Sequence, residues 1–366
     1  MTKIHIPVYQ PKMAGREREF VNECLDSSWI SSRGRFIPAF EESFASFVGA
    51  GRAIAVSNGT VALHLALLAL DIKAGDEVIV PTFSYVATVN AVKYVNAIPV
   101  FADCIKDTWQ IDPEDIERKI TPRTKAILAT HLYGHPCDMD ALLKICTKHK
   151  LFLIEDCAEA IGSRYKDKHV GTFGHISTFS FYGNKTITTG EGGIVLSTDQ
   201  HLLDKMYTFK MQGVSPTRQY WHEVIGYNYK MTNICAAIGL AQMDHLNEVI
   251  LKKIELAKWY TAFFTKHGID FHKTVGPVVH SYWMFSILVK EEATRDFLRK
   301  HLLDVCGIET RPTFYPVHTM PMYFTPGLRL PNSENIGCRG LNLPSYPDLT
   351  IEQLEYIGKS IVEFLQ

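Results

Sequence analysis

Residues 125–155 read KAILATHLYGHPCDMDALLKICTKHKLFLIE, and the fold is decided there. Lys125 to His131 is an apolar run of strand length. Asp138 to His149 reads as a helix, and Leu151 to Glu155 as a second apolar strand. Strand, helix, strand in this order is the unit from which parallel sheets are built, because parallel strands need a crossover between them. Strands apolar on both faces require cover on both faces.

The same texture extends outward in both directions. Upstream, Arg16 to Leu25 is predicted as a helix with Phe20, Val21, Cys24 and Leu25 on one face. Val61 to Leu70 is apolar nearly all round and so reads as a buried helix. Glu77 to Val80, closed by Pro81, and Ile98 to Phe101 read as short strands. Asp112-Pro113-Glu114 opens a helix with a capping acid, a proline in the first turn and acids suited to the dipole. Downstream, Ile176 to Phe181 and Gly193 to Ser197 are further strands. After Thr232 the pattern changes. A long helical stretch runs from about Asn233 to Lys266, with a break near His245. Strand-like Tyr282 to Val289, helix-like Glu291 to Leu303, strand-like Ile308 to Phe314 and a closing helix from Thr350 complete the chain. The expectation is an α/β domain over residues 1–245 and a smaller α+β domain over 246–366.

Composition excludes several classes. The 366 residues carry 38 basic and 39 acidic side chains and are 46% hydrophobic. Such a balance offers no global field for nucleic acid or an anionic membrane. The eight cysteines form no Cys-x-x-Cys pair, which argues against a zinc ribbon or a thioredoxin-like site. No metal site is expected. Met1 to His5 lacks the apolar stretch of a signal peptide, and the run Val61 to Leu70 is too short to span a bilayer. A cytoplasmic protein with reduced thiols is expected.

Four segments carry chemistry. Ser57-Asn58-Gly59-Thr60 precedes the buried helix. Free N–H groups at a helix start bind phosphate, although such a tetrapeptide is also an ordinary cap. Glu155-Asp156-Cys157-Ala158-Glu159 ends a strand, where ligands sit in open α/β sheets. Asp156 there is either a capping acid or the partner of a protonated ring nitrogen. Ser180-Phe181-Tyr182-Gly183-Asn184-Lys185 follows a strand and enters a Gly- and Thr-rich turn ending at Gly193. Such glycines suggest close approach of backbone to a ligand. A lysine in a dry pocket can have a depressed pKa and form a Schiff base. Gly226-Tyr227-Asn228-Tyr229-Lys230-Met231-Thr232-Asn233 lies just before the long helix.

In this order, with 29 residues from Asp156 to Lys185, the segments resemble the DegT/DnrJ/EryC1/StrS family of fold-type I sugar aminotransferases. The resemblance covers essentially the whole chain from Pro7-Val8-Tyr9-Gln10-Pro11 onward. It implies a large, mainly parallel sheet of the seven-stranded type with helices on both faces. It implies pyridoxal 5′-phosphate as cofactor, with the pyridoxamine form as intermediate. Lys185 would bind the cofactor covalently and shuttle protons. Asp156 would keep the pyridine nitrogen protonated, so that the ring acts as electron sink. Tyr85 would stack on the ring. Gly59, Thr60 and Ser180 would hold the phosphate, and Asn228 would reach it from a second subunit. A homodimer with shared sites follows, with a tetramer left open.

Narrower features are Trp29-Ile30-Ser31-Ser32-Arg33-Gly34, Glu159 where many relatives carry Gln, Gly183-Asn184-Lys185-Thr186, and Arg311-Pro312-Thr313-Phe314-Tyr315-Pro316-Val317-His318. They resemble members that move an amino group from L-glutamate to C4 of GDP-4-keto-6-deoxy-D-mannose, in O-antigen and lipopolysaccharide biosynthesis. Tyr9, Ser31, Glu159 and His318 are expected to face the sugar and its diphosphate. Glu159 shares a face with Asp156 if a helix begins there. Lys230 departs from the Arg of most relatives and loses the bidentate fork. UDP- or dTDP-linked keto sugars are the alternative substrates. A dehydratase relative would carry His in place of Lys185, and a vestigial regulator would have lost Lys185, Asp156 or Ser180.

Overall fold

The computed structural model describes residues 5–13, 15–49 and 51–366. The segment Met1–Ile4, part of the stretch read for a signal peptide, lies outside them. Seven strands form the central sheet: β1 (Arg52–Val56), β2 (Glu77–Pro81), β3 (Ile98–Ala102), β4 (Thr124–Thr130), β5 (Phe152–Asp156), β6 (Ile176–Ser180) and β7 (Gly193–Ser197). Their order across the sheet is β3-β2-β4-β5-β6-β7-β1. From β3 to β6 every pairing is parallel, and β7 runs antiparallel to both β6 and β1.

Alternation along each strand sends side chains to two layers. Val78 and Val80 of β2, with Ala126 and Leu128 of β4, pack under the helices Gly59–Ala69, Ala87–Tyr94 and Gln200–Lys210. Ile79, Ile127 and Ala129 point the other way, beneath the helix Met139–His149. At the far end of that second face, Phe40 and Phe44 of the helix Phe36–Val48 meet Phe179 and Phe181 edge-on. The strands are buried on both faces, and for that reason their apolar runs are continuous.

The second sheet is smaller: β8 (Asp270–Phe271), β9 (Phe285–Leu288), β10 (Arg311–Pro312) and β11 (Gly340–Leu343), in the order β8-β9-β11-β10. Helices Leu246–Lys266, Glu292–Asp304 and Ile351–Leu365 share its core. The long helical stretch divides into Asn233–Met243 and Leu246–Lys266, and the closing helix starts with a full capping box at Thr350 and Gln353. The N-terminal stretch joins this smaller unit: the Ile6 N–H donates to the Gly307 carbonyl, and the Ile6 carbonyl accepts the Glu309 N–H. The expected strand Ile308–Phe314 reduces to a bridge at Ile308 and the two residues Arg311–Pro312, the latter lacking an N–H to extend a ladder.

Candidate active site

Phosphate-type chemistry begins at the helix Gly59–Ala69. Asn58 caps it by accepting the Val61 N–H at 3.0 Å, and Ala62 N–H reaches the Asn58 carbonyl. The first-turn N–H groups of Gly59 and Thr60 precede any intrahelical acceptor and point outward. A Cβ on Gly59 would stand 2.8 Å from the Ser180 Cβ, so the helix start and the end of β6 are pressed together. The glycine-rich turn serves the same approach. A Cβ on Gly193 would meet the Asn58 carbonyl oxygen at 2.5 Å. Gly193 thus brings backbone against backbone, whereas Gly183 of the same turn has open space before it.

Asp156 ends β5 and is buried. Its Oδ2 accepts from Thr88 Oγ at 2.9 Å and its Oδ1 from the Ala158 N–H at 3.1 Å. Burial raises its pKa despite these donors and despite the nearby Lys185 cation. A buried carboxylate in that state calls for a cationic partner, which a protonated ring nitrogen supplies.

Glu159 lies one turn further on, but no helix forms after Asp156. The Ala158 N–H bonds back to Asp156, and residues 157–163 proceed as turns. Glu159 is nonetheless brought inward. Its Oε2 accepts the Tyr133 N–H at 2.9 Å and its Oε1 lies 3.5 Å from Lys185 Nζ. Burial raises this carboxyl too, opposed by the Lys185 charge. Tyr133 holds a left-handed backbone (φ 55°) that bulky residues rarely adopt. Its ring packs against those of Trp283 and Phe314, which also meet each other.

Lys185 sits on the turn after β6, its side chain 12% exposed. Its Nζ stands 4.0 Å from the centre of the Trp283 ring, close to the Glu159 carboxylate. Tyr9 Oη donates to the Lys185 carbonyl, and Trp283 Nε1 donates to the Asn184 carbonyl at 2.7 Å. In front of this turn opens a cleft of about 630 Å³, lined among others by Tyr9, Ser84, Tyr85, Asn184, Trp283 and Arg311.

The structure therefore brings Tyr9, Tyr85, Asp156, Glu159 and Lys185 to one place, with Gly59, Thr60 and Ser180 at the neighbouring strand ends. His318 does not join them. It is 2% exposed, its Nδ1 lies 2.7 Å from Thr82 Oγ and its Nε2 3.3 Å from Glu334. Both ring nitrogens are engaged inside the protein, so the expected sugar contact is replaced by a bracing role. Ser31 and Asn228 also lie off this cleft wall. Ser31 binds the Asn233 N–H through its carbonyl, and Asn228 is exposed, its backbone bridged to Met211.

Three participants escaped the sequence reading. Thr88 stands on the helix behind Tyr85, Tyr133 lies in the short 3-10 turn Leu132–Gly134, and Trp283 is about a hundred residues beyond the lysine turn. The unusual φ of Tyr133 is a property of the folded backbone with no sequence signal. Nearby, His131, Glu155 and Cys157 place their donor atoms within 4.8 Å of one another. Glu155 accepts the N–H groups of Gly171, Phe173 and Gly174, and His131 Nδ1 accepts that of Cys137, so the group is spent on folding.

Comparison with known proteins adds the remaining observation. Residues 11–362 match the model of the DegT/DnrJ/EryC1/StrS aminotransferase family. The chain belongs to that family. It is a pyridoxal-phosphate-dependent aminotransferase. It is 57% identical over 360 residues to the GDP-perosamine synthase of Escherichia coli O157:H7, covering 98% of both chains. It is 48% identical to the GDP-perosamine synthase of Vibrio cholerae, covering 98% of this chain and 99% of that one. Among solved structures it resembles S. venezuelae DesV in complex with a ketimine intermediate, at TM-score 0.90 and 33% identity, covering 96% of this chain and 94% of that one. The mainly parallel sheet agrees with that likeness, and the donor set at Asp156, Lys185 and the Gly59 helix fits the cofactor.

Proposed function

We propose that the enzyme transfers an amino group from L-glutamate to C4 of GDP-4-keto-6-deoxy-D-mannose, giving GDP-perosamine. The observation that carries this reading is the full-length 57% identity to a GDP-perosamine synthase, combined with an intact Lys185–Glu159–Asp156 site. When bound, the cofactor supplies an electron sink for carbanion chemistry. The chain's own groups do the rest. Lys185 Nζ is the base that moves the proton, Asp156 fixes a positive charge at the ring nitrogen, and Glu159 holds Lys185 in register. Gly59, Thr60 and Ser180 would bind the phosphate, and Tyr85 would stack on the ring. Tyr9 and Arg311 border the space left for the nucleotide sugar.

The working unit in this reading is a homodimer. Tyr220, Trp221, Val224 and Ile225 form an exposed apolar loop directly before Asn228, with Tyr220 96% and Ile225 88% exposed. A patch of that kind asks for a partner surface. Asn228 then reaches the partner's cleft. We also place the division between the two units near residue 245, with the N-terminal strand segment joining the smaller one, and the protein in the cytoplasm.

A panel of GDP-, UDP- and dTDP-linked 4-keto sugars, each incubated with glutamate and read by product mass, tests the reaction. Amination of the GDP sugar at the highest kcat/KM is the expected result. Faster turnover of a UDP- or dTDP-linked sugar overturns the nucleotide assignment.

A further inference from the structure

Lys253 lies in the middle of the helix Leu246–Lys266 and is 1% exposed. Its Nζ donates to the backbone carbonyls of Ser345 and Trp283, the latter at 3.2 Å. It also stands 5.4 Å from the centre of the Tyr9 ring. No carboxylate pairs with it among the described residues. A buried ammonium held only by carbonyls and a ring face is expensive, and burial lowers its pKa to about 7. A leucine or methionine would fill such a place at lower cost, so the charge or the donors have a use.

The residues it touches indicate that use. Tyr9 and Trp283 are the two side chains that grip the lysine turn, through the Lys185 and Asn184 carbonyls respectively. Trp283 also lays its ring against Lys185 Nζ. Ser345, the other acceptor, accepts the Phe285 N–H at 2.9 Å and so ties β9 to the same point. One ammonium thus stands behind both grips, on the helix that begins the smaller unit. Hydrogen bonds from a single donor group to two segments fix their relative position more firmly than packing alone.

We propose that Lys253 is a positioning residue for Lys185: it locks Tyr9 and the Trp283 backbone, and through them the orientation of the catalytic ε-amino group. The inference rests on Lys185 being the cofactor lysine. Reductive labelling of the parent enzyme checks that reading separately.

The test is Lys253→Met, which keeps length and removes the donors, beside Tyr9→Phe, which removes one grip and leaves Lys253 untouched. Both are measured in the full-length holoenzyme. Misplacement of a reacting group by about 1 Å costs on the order of 100-fold in rate. Lys253→Met is expected to lower kcat roughly 10- to 100-fold, with KM for the nucleotide sugar changed less than about twofold. The visible absorption of the lysine-bound cofactor should shift its pH midpoint in the same direction in both variants. In the cofactor-free proteins, the fluorescence of Trp283, isolated by difference against Trp283→Phe, should change in Lys253→Met. The two substitutions should be non-additive in kcat when combined. If Lys253→Met does not fold, a Tyr9→Phe holoenzyme with parental kcat and spectrum overturns the proposal. A folded Lys253→Met with a lowered Tm but parental kcat, spectral midpoint and tryptophan fluorescence overturns it as well.

Discussion

Asp156 and Glu159 are both buried, and burial raises both carboxyl pKa values above their ordinary range. Between the ordinary and the raised value, the folded chain holds a proton that the unfolded chain has released. The stability these groups contribute is therefore fully present below the ordinary carboxylate value and is lost as pH rises through the raised one. Glu159→Gln removes this titration and leaves an oxygen to accept the Tyr133 N–H. In the cofactor-free protein it should raise Tm at neutral pH by about 1–3 °C. The gain should vanish below the ordinary carboxylate value in melts taken across pH, and a gain constant at every pH contradicts the burial account. At this scale the sequence was informative where chemistry is local. Asp156 and Lys185 stood out by their places after strands. Thr88, Tyr133 and Trp283 did not, because their roles arise from contacts that only the folded chain creates.

The turn Val317–Thr319 shows how an element can mislead. Tyr315-Pro316 suggested a rigid binding loop for His318. Instead the turn ties the end of β2, through Thr82, to Glu334 of the helix Pro331–Arg339. His318→Ala removes two side-chain hydrogen bonds, the one to Thr82 buried and the one to Glu334 partly so, worth about 1–3 kcal/mol in total. Thermal melting should show that loss, and the KM values for both substrates should move together. An unchanged Tm with a selective rise in KM for the nucleotide sugar contradicts the bracing role. Most strands of the large sheet were legible because burial on both faces leaves continuous apolar runs. The helix Phe36–Val48 was overlooked, although Phe36, Phe40 and Phe44 recur at helical spacing. After Asp156, where a helix was one possibility, the chain proceeds as turns over residues 157–163, and Glu159 reaches the site from there.

At the scale of the whole molecule, the parallel strands end where the phosphate helix, Asp156 and the lysine turn meet. The smaller unit closes the site with Trp283, Tyr9 and Arg311. Asn228 lies away from the cleft, and the exposed loop before it is the surface a second copy would cover in the proposed homodimer. Lys185→Ala chains mixed with chains substituted at Asn228 should regain up to about a quarter of parental activity, since one site in a mixed dimer is whole. Mixed dimers shown to form without any activity contradict shared sites. The central claim is that Lys185 is the residue the cofactor engages. Borohydride reduction of the loaded enzyme, followed by peptide mapping, tests it most directly. The account predicts the pyridoxyl label on the peptide containing Lys185 and its loss in Lys185→Ala. A label on another lysine, such as the buried Lys253, would contradict it.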